Sequence, residues 1–328
     1  MHEKPVDDEH STPYLALARK ALRAYGLEDA VVLLLRADTD ISFDVRTPGT
    51  FPSRHLLRIR SAAGDSRVLR RELSWLTALR RDTDLVVPEP ILTRTGLLLH
   101  SVSHAGVSGA RTALLLRWVE GDSPGPQFPP EDAARLGQAI ARLHCHGGRY
   151  GWPTDVAPPR VTADDVRSIA DGAALRTQYP DDALCTIRKA LDVLAGMMRD
   201  LGVHSSVAGA IHGNLQLSQV VCRGSDEPGL INFKRCTWGH FAFDLSRLVF
   251  DLRSRGNGDE LIDALLTGYR SVRPLSESAE AALPAFYFLH RIAEAQRAAA
   301  SKEDGEVPQI AELAARALHA ARQLLADP

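Results

Sequence analysis

The sequence predicts an α+β protein with its strands and helices segregated along the chain. Three observations lead there. Residues 12–119 carry short apolar runs bounded by turn residues, the pattern of strands, with helices only at 13–27 and 65–83. Proline and glycine then crowd into WVEGDSPGPQFPP (118–130), as a linker requires. From Glu131 onward apolar residues recur at helical spacing in one segment after another. The predicted organisation is a tail at 1–11, a strand-rich part at 12–119, a linker at 120–130 and a helical part at 131–328.

Each element has a local reason. MHEKPVDDEHS (1–11) is polar and acidic, which predicts a flexible tail. Ser11 or Thr12 can cap a helix with Pro13 in its first turn, and YLALARKALRAYGL continues it with an apolar stripe. VVLLLRA (31–37), ISFDVRT (41–47) and RHLLRIR (54–60) read as strands, with the turn PGTFPS before the third. Asp65 or Ser66 opens a helix whose Val68, Leu69, Leu73, Leu76 and Leu79 face one side. VPEPIL is an extended connector, and two more strands follow near 96–103 and 112–119. Within the helical part, QVVCR and GLINF are spaced like a small hairpin.

Composition narrows the function. The chain has 328 residues, 45% of them hydrophobic, and a formal net charge of -2. Such a chain can bury two sizeable cores. The near-neutral balance gives no reason to expect nucleic acid. Arginine far outnumbers lysine, a bias typical of a GC-rich bacterial genome rather than of phosphate recognition. Cys145, Cys185, Cys222 and Cys236 follow no zinc spacing and read as free thiols of a reducing compartment. No apolar run approaches the ~20 residues that span a bilayer, and no signal core is present, so the expectation is a cytoplasmic protein with no membrane partner.

Specific motifs occur in order over residues 40–250: RHLLRIR followed by RRELSWLTAL, then VPEP, LLLRWVEG, LGQAIARLH, IHGN and INFKRCTWGHFAFDL. The ordered set resembles the aminoglycoside phosphotransferase family, in particular its broad branch of small-molecule kinases. The resemblance implies a bilobal protein-kinase-like fold, with a small β-rich lobe, a larger helical lobe, and ATP between them. It also implies that Arg58, on the third strand, reaches the phosphates while Glu72 holds it in place. Backbone groups at Trp118, Val119 and Glu120 would meet the adenine. Asp244 would brace the catalytic loop. The helices beyond ~258 would shape the acceptor pocket.

The chemistry-bearing positions depart from that pattern. The family's catalytic loop reads HGDxHxxN; here the same positions are His212, Gly213, Asn214, Gln216 and Gln219. The metal-chelating aspartate of the next motif is Asn232, followed by Lys234 and Arg235. An amide cannot take a proton at neutral pH, so Asn214 cannot act as a general base. Magnesium favours anionic oxygen, and Gln219 and Asn232 offer only neutral carbonyls. The two following cations oppose a metal further, at ~4 kcal/mol per unit pair at 4 Å for an effective dielectric of ~20.

Three readings follow. In the first, the chain is a pseudokinase that binds ATP or another phosphate ligand without magnesium, Lys234 or Arg235 standing in for the metal. Its partner would be a biosynthetic enzyme or a peptide, since family members occur beside such enzymes in bacteria. In the second, it is an active phosphotransferase in which Asp38, Asp40, Asp226 or Glu227 supplies the metal ligands. A third reading, an interaction module whose cleft is irrelevant, predicts a cleft filled by side chains. His144-Cys145-His146 is set aside as a metal site, because the two histidines lie on different faces of a helix.

Overall fold

A computed structural model describes residues 8–37, 40–50, 52–61, 65–300 and 307–326. The chain divides into two compact units. The first comprises residues 1–121 together with 152–157 and 229–234, and the second holds the rest. The two later segments are a departure from the sequence reading, which assigned everything after 131 to the helical part. They join the first unit because they fill it. Trp75 is fully buried there, its ring 5.5 Å from that of Phe233 and 5.9 Å from that of Trp152. The Arg71 Nε donates to the Val156 carbonyl at 2.8 Å, and the Leu230 amide donates to the Val86 carbonyl at 2.9 Å.

The first unit is built on an antiparallel sheet. Helix α1 (Asp8–Leu22) leads to strands β1 (Val31–Ala37), β2 (Asp40–Arg46) and β3 (Arg54–Ser61). Helix α2 (Ser66–Asp82) is followed by β4 (Pro90–Ile91), β5 (His100–His104) and β6 (Val107–Arg117). The sheet order is β1-β2-β3-β6-β4, with β5 also paired to β6. Period-two alternation separates two faces. Phe43, Val45, Leu57 and Ile59 point into one core, which Leu17, Ala18, Ala21 and Leu22 of α1 cover. Arg58, between Leu57 and Ile59, therefore points the other way. The α2 helix starts where its sequence allows, because the Asp65 carboxylate accepts the Arg67 amide at 2.9 Å.

Helix α1 corrects the predicted start at Ser11 or Thr12. It begins at Asp8, which places Pro13 inside the helix at the cost of one backbone hydrogen bond. Of the predicted tail, residues 1–7 lie outside the described residues, as do Asp38 and Thr39.

The second unit is mostly helical. Its long helices are Pro130–Gly147, Asp181–Leu201, Phe241–Arg253, Gly258–Arg270, Leu283–Ala300 and Val307–Ala326. Strands Ala208–Ile211 and Thr237–His240 pair antiparallel and bracket the segment that carries IHGN and INF. No helix among the described residues is long and apolar enough to cross a membrane. All four cysteines are free thiols.

Candidate functional site

In the first unit the Arg58 guanidinium meets the Glu72 carboxylate in a two-pronged pair, at 2.7 and 2.8 Å. Both side chains are buried, at 3% and 1% exposure. The sheet aims Arg58 away from the α1 core, and the first turns of α2 bring Glu72 to it. At the end of β6 the Trp118 amide donates to the Arg54 carbonyl at 2.9 Å, and the Arg54 guanidinium lies over the Trp118 ring at 3.7 Å. Glu120 stands 3.6 Å from the same guanidinium. The Trp118 N–H is thus already used, and Val119 and Glu120 are the backbone amides of this segment that no described residue occupies.

Asn232 also belongs to the first unit. It is the one non-glycine residue at positive φ (67°) among those described. Asn and Asp tolerate that region better than other side chains. An amide here keeps the backbone geometry and discards the charge. Lys234 follows, and its Nζ lies 2.8 Å from Asp40 Oδ2 on β2. Arg60 Nε is 3.5 Å from the other oxygen. Burial opposes ionisation of Asp40, but Lys234, Arg58 and Arg60 prevail and hold its carboxyl below the usual range.

In the second unit Asp244 clamps the loop that contains Asn214. Its two oxygens accept the amides of His212 and Gly213 at 2.7 and 2.8 Å. His144 Nε2 approaches the same carboxylate at 3.4 Å while its Nδ1 bonds the Tyr269 hydroxyl at 3.0 Å. Burial drives the His144 pKa down. For Asp244 burial works the other way, yet the His144, His212 and backbone contacts keep it ionised. Gly213 has φ 75°, and a Cβ there would sit 2.2 Å from the Arg235 carbonyl oxygen, so only glycine fits. The Gln219 side-chain amide donates to Ser218 Oγ at 3.0 Å.

Two groupings made from the sequence come apart. Lys234 and Arg235 are adjacent in the chain, but they sit in a single 3₁₀ turn, Phe233–Arg235, where successive side chains diverge by about 120°. Lys234 turns to Asp40, whereas Arg235 shares its surroundings with Glu294 and Arg297 of the second unit. Of the four acids expected as replacement metal ligands, two are ion-paired and one is outside the described residues. Asp40 holds Lys234, Glu227 pairs with Arg142, and Asp38 is outside the described residues. The Asp226 amide closes a turn onto the Arg223 carbonyl.

One contributor was missed. Asp251 accepts the Leu217 amide at 3.1 Å, a second clamp on the same loop. It lies seven residues after Asp244 on the Phe241–Arg253 helix, hence two turns along the same face. That spacing was the available signal.

Known proteins are similar to this chain in sequence or in fold. A homoserine kinase from Rhodospirillum rubrum is 30% identical over 208 residues, which is 61% of this chain; the chain spans 60% of that relative's length. The microcompartment-associated aminopropanol kinase superposes with a TM-score of 0.76 at 24% identity, covering 95% of this chain and 98% of that one. Amicoumacin kinase hAmiN, solved in complex with AMP-PNP, Ca2+ and Ami, superposes with a TM-score of 0.75 at 17% identity, over 94% and 93% of the two chains. At such identities these two show the fold, which is protein-kinase-like. The pattern of the APH phosphotransferase enzymes matches residues 39–283, from the strand that carries Asp40 to the start of the Leu283–Ala300 helix. With that match running through every motif described above, the chain belongs to the phosphotransferase enzyme family.

Proposed function

We propose that this family member works by binding a phosphate-bearing ligand, ATP or a related compound, without magnesium-dependent phosphoryl transfer. The observation that carries the reading is the joint replacement of base and metal ligands by amides at 214, 219 and 232. The donor set does not fit magnesium. Neutral carbonyls are poor ligands for a hard cation, and Lys234 sits two residues beyond Asn232. What binding needs has been kept. The Arg58–Glu72 pair presents a buried, oriented cation, and Asp244 still fixes the loop backbone. The proposal includes a bacterial cytoplasmic setting and a partner, a biosynthetic enzyme or a peptide, through which ligand binding is put to use.

A second reading rests on a different observation. The curated relative is named a homoserine kinase and one fold neighbour an aminopropanol kinase, which favours phosphorylation of a small amino alcohol. Phosphoryl transfer has a loose transition state in which positioning outweighs base strength, so having an amide instead of a carboxylate at position 214 would by itself slow rather than abolish it.

One experiment separates the two. Thermal unfolding is followed with ATP, ADP and pyrophosphate, each with magnesium and with EDTA, alongside label transfer from [γ-32P]ATP to homoserine and to aminopropanol. A ligand at 100 times its Kd adds ~2.7 kcal/mol, roughly 2–4 °C for a chain of this size or less. Stabilisation that survives EDTA, with no label transferred, is the expected result. Stabilisation only with magnesium, together with labelled product, overturns it in favour of the kinase.

A further inference from the structure

The second unit holds a cavity that the reading above does not use. It has a volume of about 260 Å³ and lies where the end of the Pro130–Gly147 helix, the segment 204–206 and the segment after the Gly258–Arg270 helix come together. Arg149, Arg273, His204, Cys145, Ser205 and Ser206 line it. Among the described residues no carboxylate does. A space of that size is below the ~300–1,000 Å³ of sites for drug-sized ligands, so its occupant is small.

The charges here are held in place and left without counter-charges. Arg273 Nη2 donates to the Ser205 carbonyl at 2.8 Å, and Nη1 lies 3.7 Å from Cys145 Sγ. The same guanidinium stands 4.5 Å from the centre of the Phe241 ring, which stacks on His144 at 4.6 Å. These contacts fix the fork, yet its Nε is buried and makes no hydrogen bond. Neither Arg273 nor Arg149 pairs with a carboxylate among the described residues. Arginine is common at helix C-termini, where it meets the last carbonyls. Backbone amides fill that role here. Gly148 donates to the His144 carbonyl, Arg149 and Tyr150 to that of His146, and Val272 and Arg273 to that of Tyr269. His204 adds a donor. Its Nδ1 accepts the Ser206 amide at 3.2 Å, so the hydrogen of the neutral ring sits on Nε2, which makes no hydrogen bond among the described residues. Half-buried, Arg273 has given up hydration that a bound anion would restore. A planar guanidinium fork suits a group with two or more equivalent oxygens.

We propose that this cavity binds the oxyanion group, phosphate or carboxylate, of a small molecule, with Arg273 as the fixed cation and Arg149 and His204 as exposed donors. The site is separate from the Arg58 and Lys234 cations of the first unit, and it goes beyond the nucleotide reading without depending on it. Arg273 is joined to the Asp244 clamp through the Phe241 and His144 rings. The ligand therefore sits against the support of the Asn214 loop and not among the loop's own side chains.

The test is calorimetric titration in EDTA with inorganic phosphate and with succinate, on wild type, Arg149→Gln, Arg273→Gln and Lys234→Ala. At least one probe should bind wild type and the Lys234 variant alike. Its affinity should fall about tenfold or more in both glutamine variants, the worth of one charge-assisted hydrogen bond. Arg149→Gln decides if Arg273→Gln fails to fold, because the Arg149 side chain is exposed and makes no hydrogen bond among the described residues. A phosphate-only or succinate-only response supports the site and names its ligand class. Cys145 is a native reporter of position. The bound probe should slow its alkylation by iodoacetamide, read by mass spectrometry, and leave that of exposed Cys185 unchanged. Undiminished binding in Arg149→Gln, loss confined to Lys234→Ala, a Cys145 rate that the bound probe does not change, or no binding of either probe to wild type overturns the proposal.

Discussion

At the scale of single residues, the pair between Lys234 and Asp40 bears directly on the proposed phosphate binding. A metal-free anion site needs a free cation near Asn232, and here that cation is already neutralised at 2.8 Å. An incoming phosphate must compete with Asp40. Replacing Asp40 with asparagine keeps the size of the side chain and releases Lys234. The expected result is tighter binding of pyrophosphate in EDTA, on the order of tenfold, about 1.4 kcal/mol; unchanged affinity would mean that phosphate does not approach Lys234. The residue scale is also where the sequence was legible in part. Arg58 and Glu72 could be named because the ordered motifs resemble a family in which a cation on the third strand meets a carboxylate on the following helix. The direction of Lys234, toward Asp40, was not legible because adjacency in the chain says nothing of direction within a 3₁₀ turn. Asp40 was read as a replacement metal ligand rather than as the partner of Lys234, since Lys234 lies 194 positions away and no local pattern announces the pair.

At the scale of elements, the Asn214 loop depends on a close crossing of helices. A Cβ on Gly137 of the Pro130–Gly147 helix would stand 2.0 Å from the Leu265 carbonyl oxygen. One on Gly268 of the Gly258–Arg270 helix would stand 2.0 Å from that of Ala134. The two backbones touch, and neither can yield as a side chain would. Helix propensity alone favours alanine at either site by ~1 kcal/mol. Overpacking opposes it by ~1–3 kcal/mol or more. The expected outcome for Gly268→Ala is a net loss of about 2 kcal/mol in urea unfolding, and a gain would show that the crossing has room. Tyr269, the next residue, bonds His144, which reaches Asp244, so the same substitution should loosen the 212–214 loop. Strands such as 31–37 and 54–60 were readable because alternation and turn residues are local signals. The crossing was not, because a glycine in a helix reads as weakness until its neighbour is known.

At the scale of the whole molecule, histidines set the response to acid. His55, His100, His144, His240 and His290 all have their pKa lowered by burial, His290 to about 4. Each is held neutral when folded and takes a proton more readily when unfolded. Their contribution is complete above the unfolded value near 6.5 and is lost as pH falls from there toward the folded value. For His290 alone the loss by pH 4 is on the order of 3 kcal/mol. Urea unfolding should therefore give clearly lower stability at pH 5 than at pH 7.5, and His290→Gln should flatten that slope; a level profile would contradict the burial described. Segment order along the chain has a further consequence, for synthesis on the ribosome. The first unit needs residues 229–234 to cover Trp75, yet about 110 residues separate Gly121 from Lys234. At ~5–20 residues per second, that tryptophan waits roughly 6–20 seconds for Phe233 after the sheet has emerged. The nascent chain thus passes through a window in which a large aromatic surface is open to chaperones, and a slow stretch of codons between 121 and 234 would prolong it.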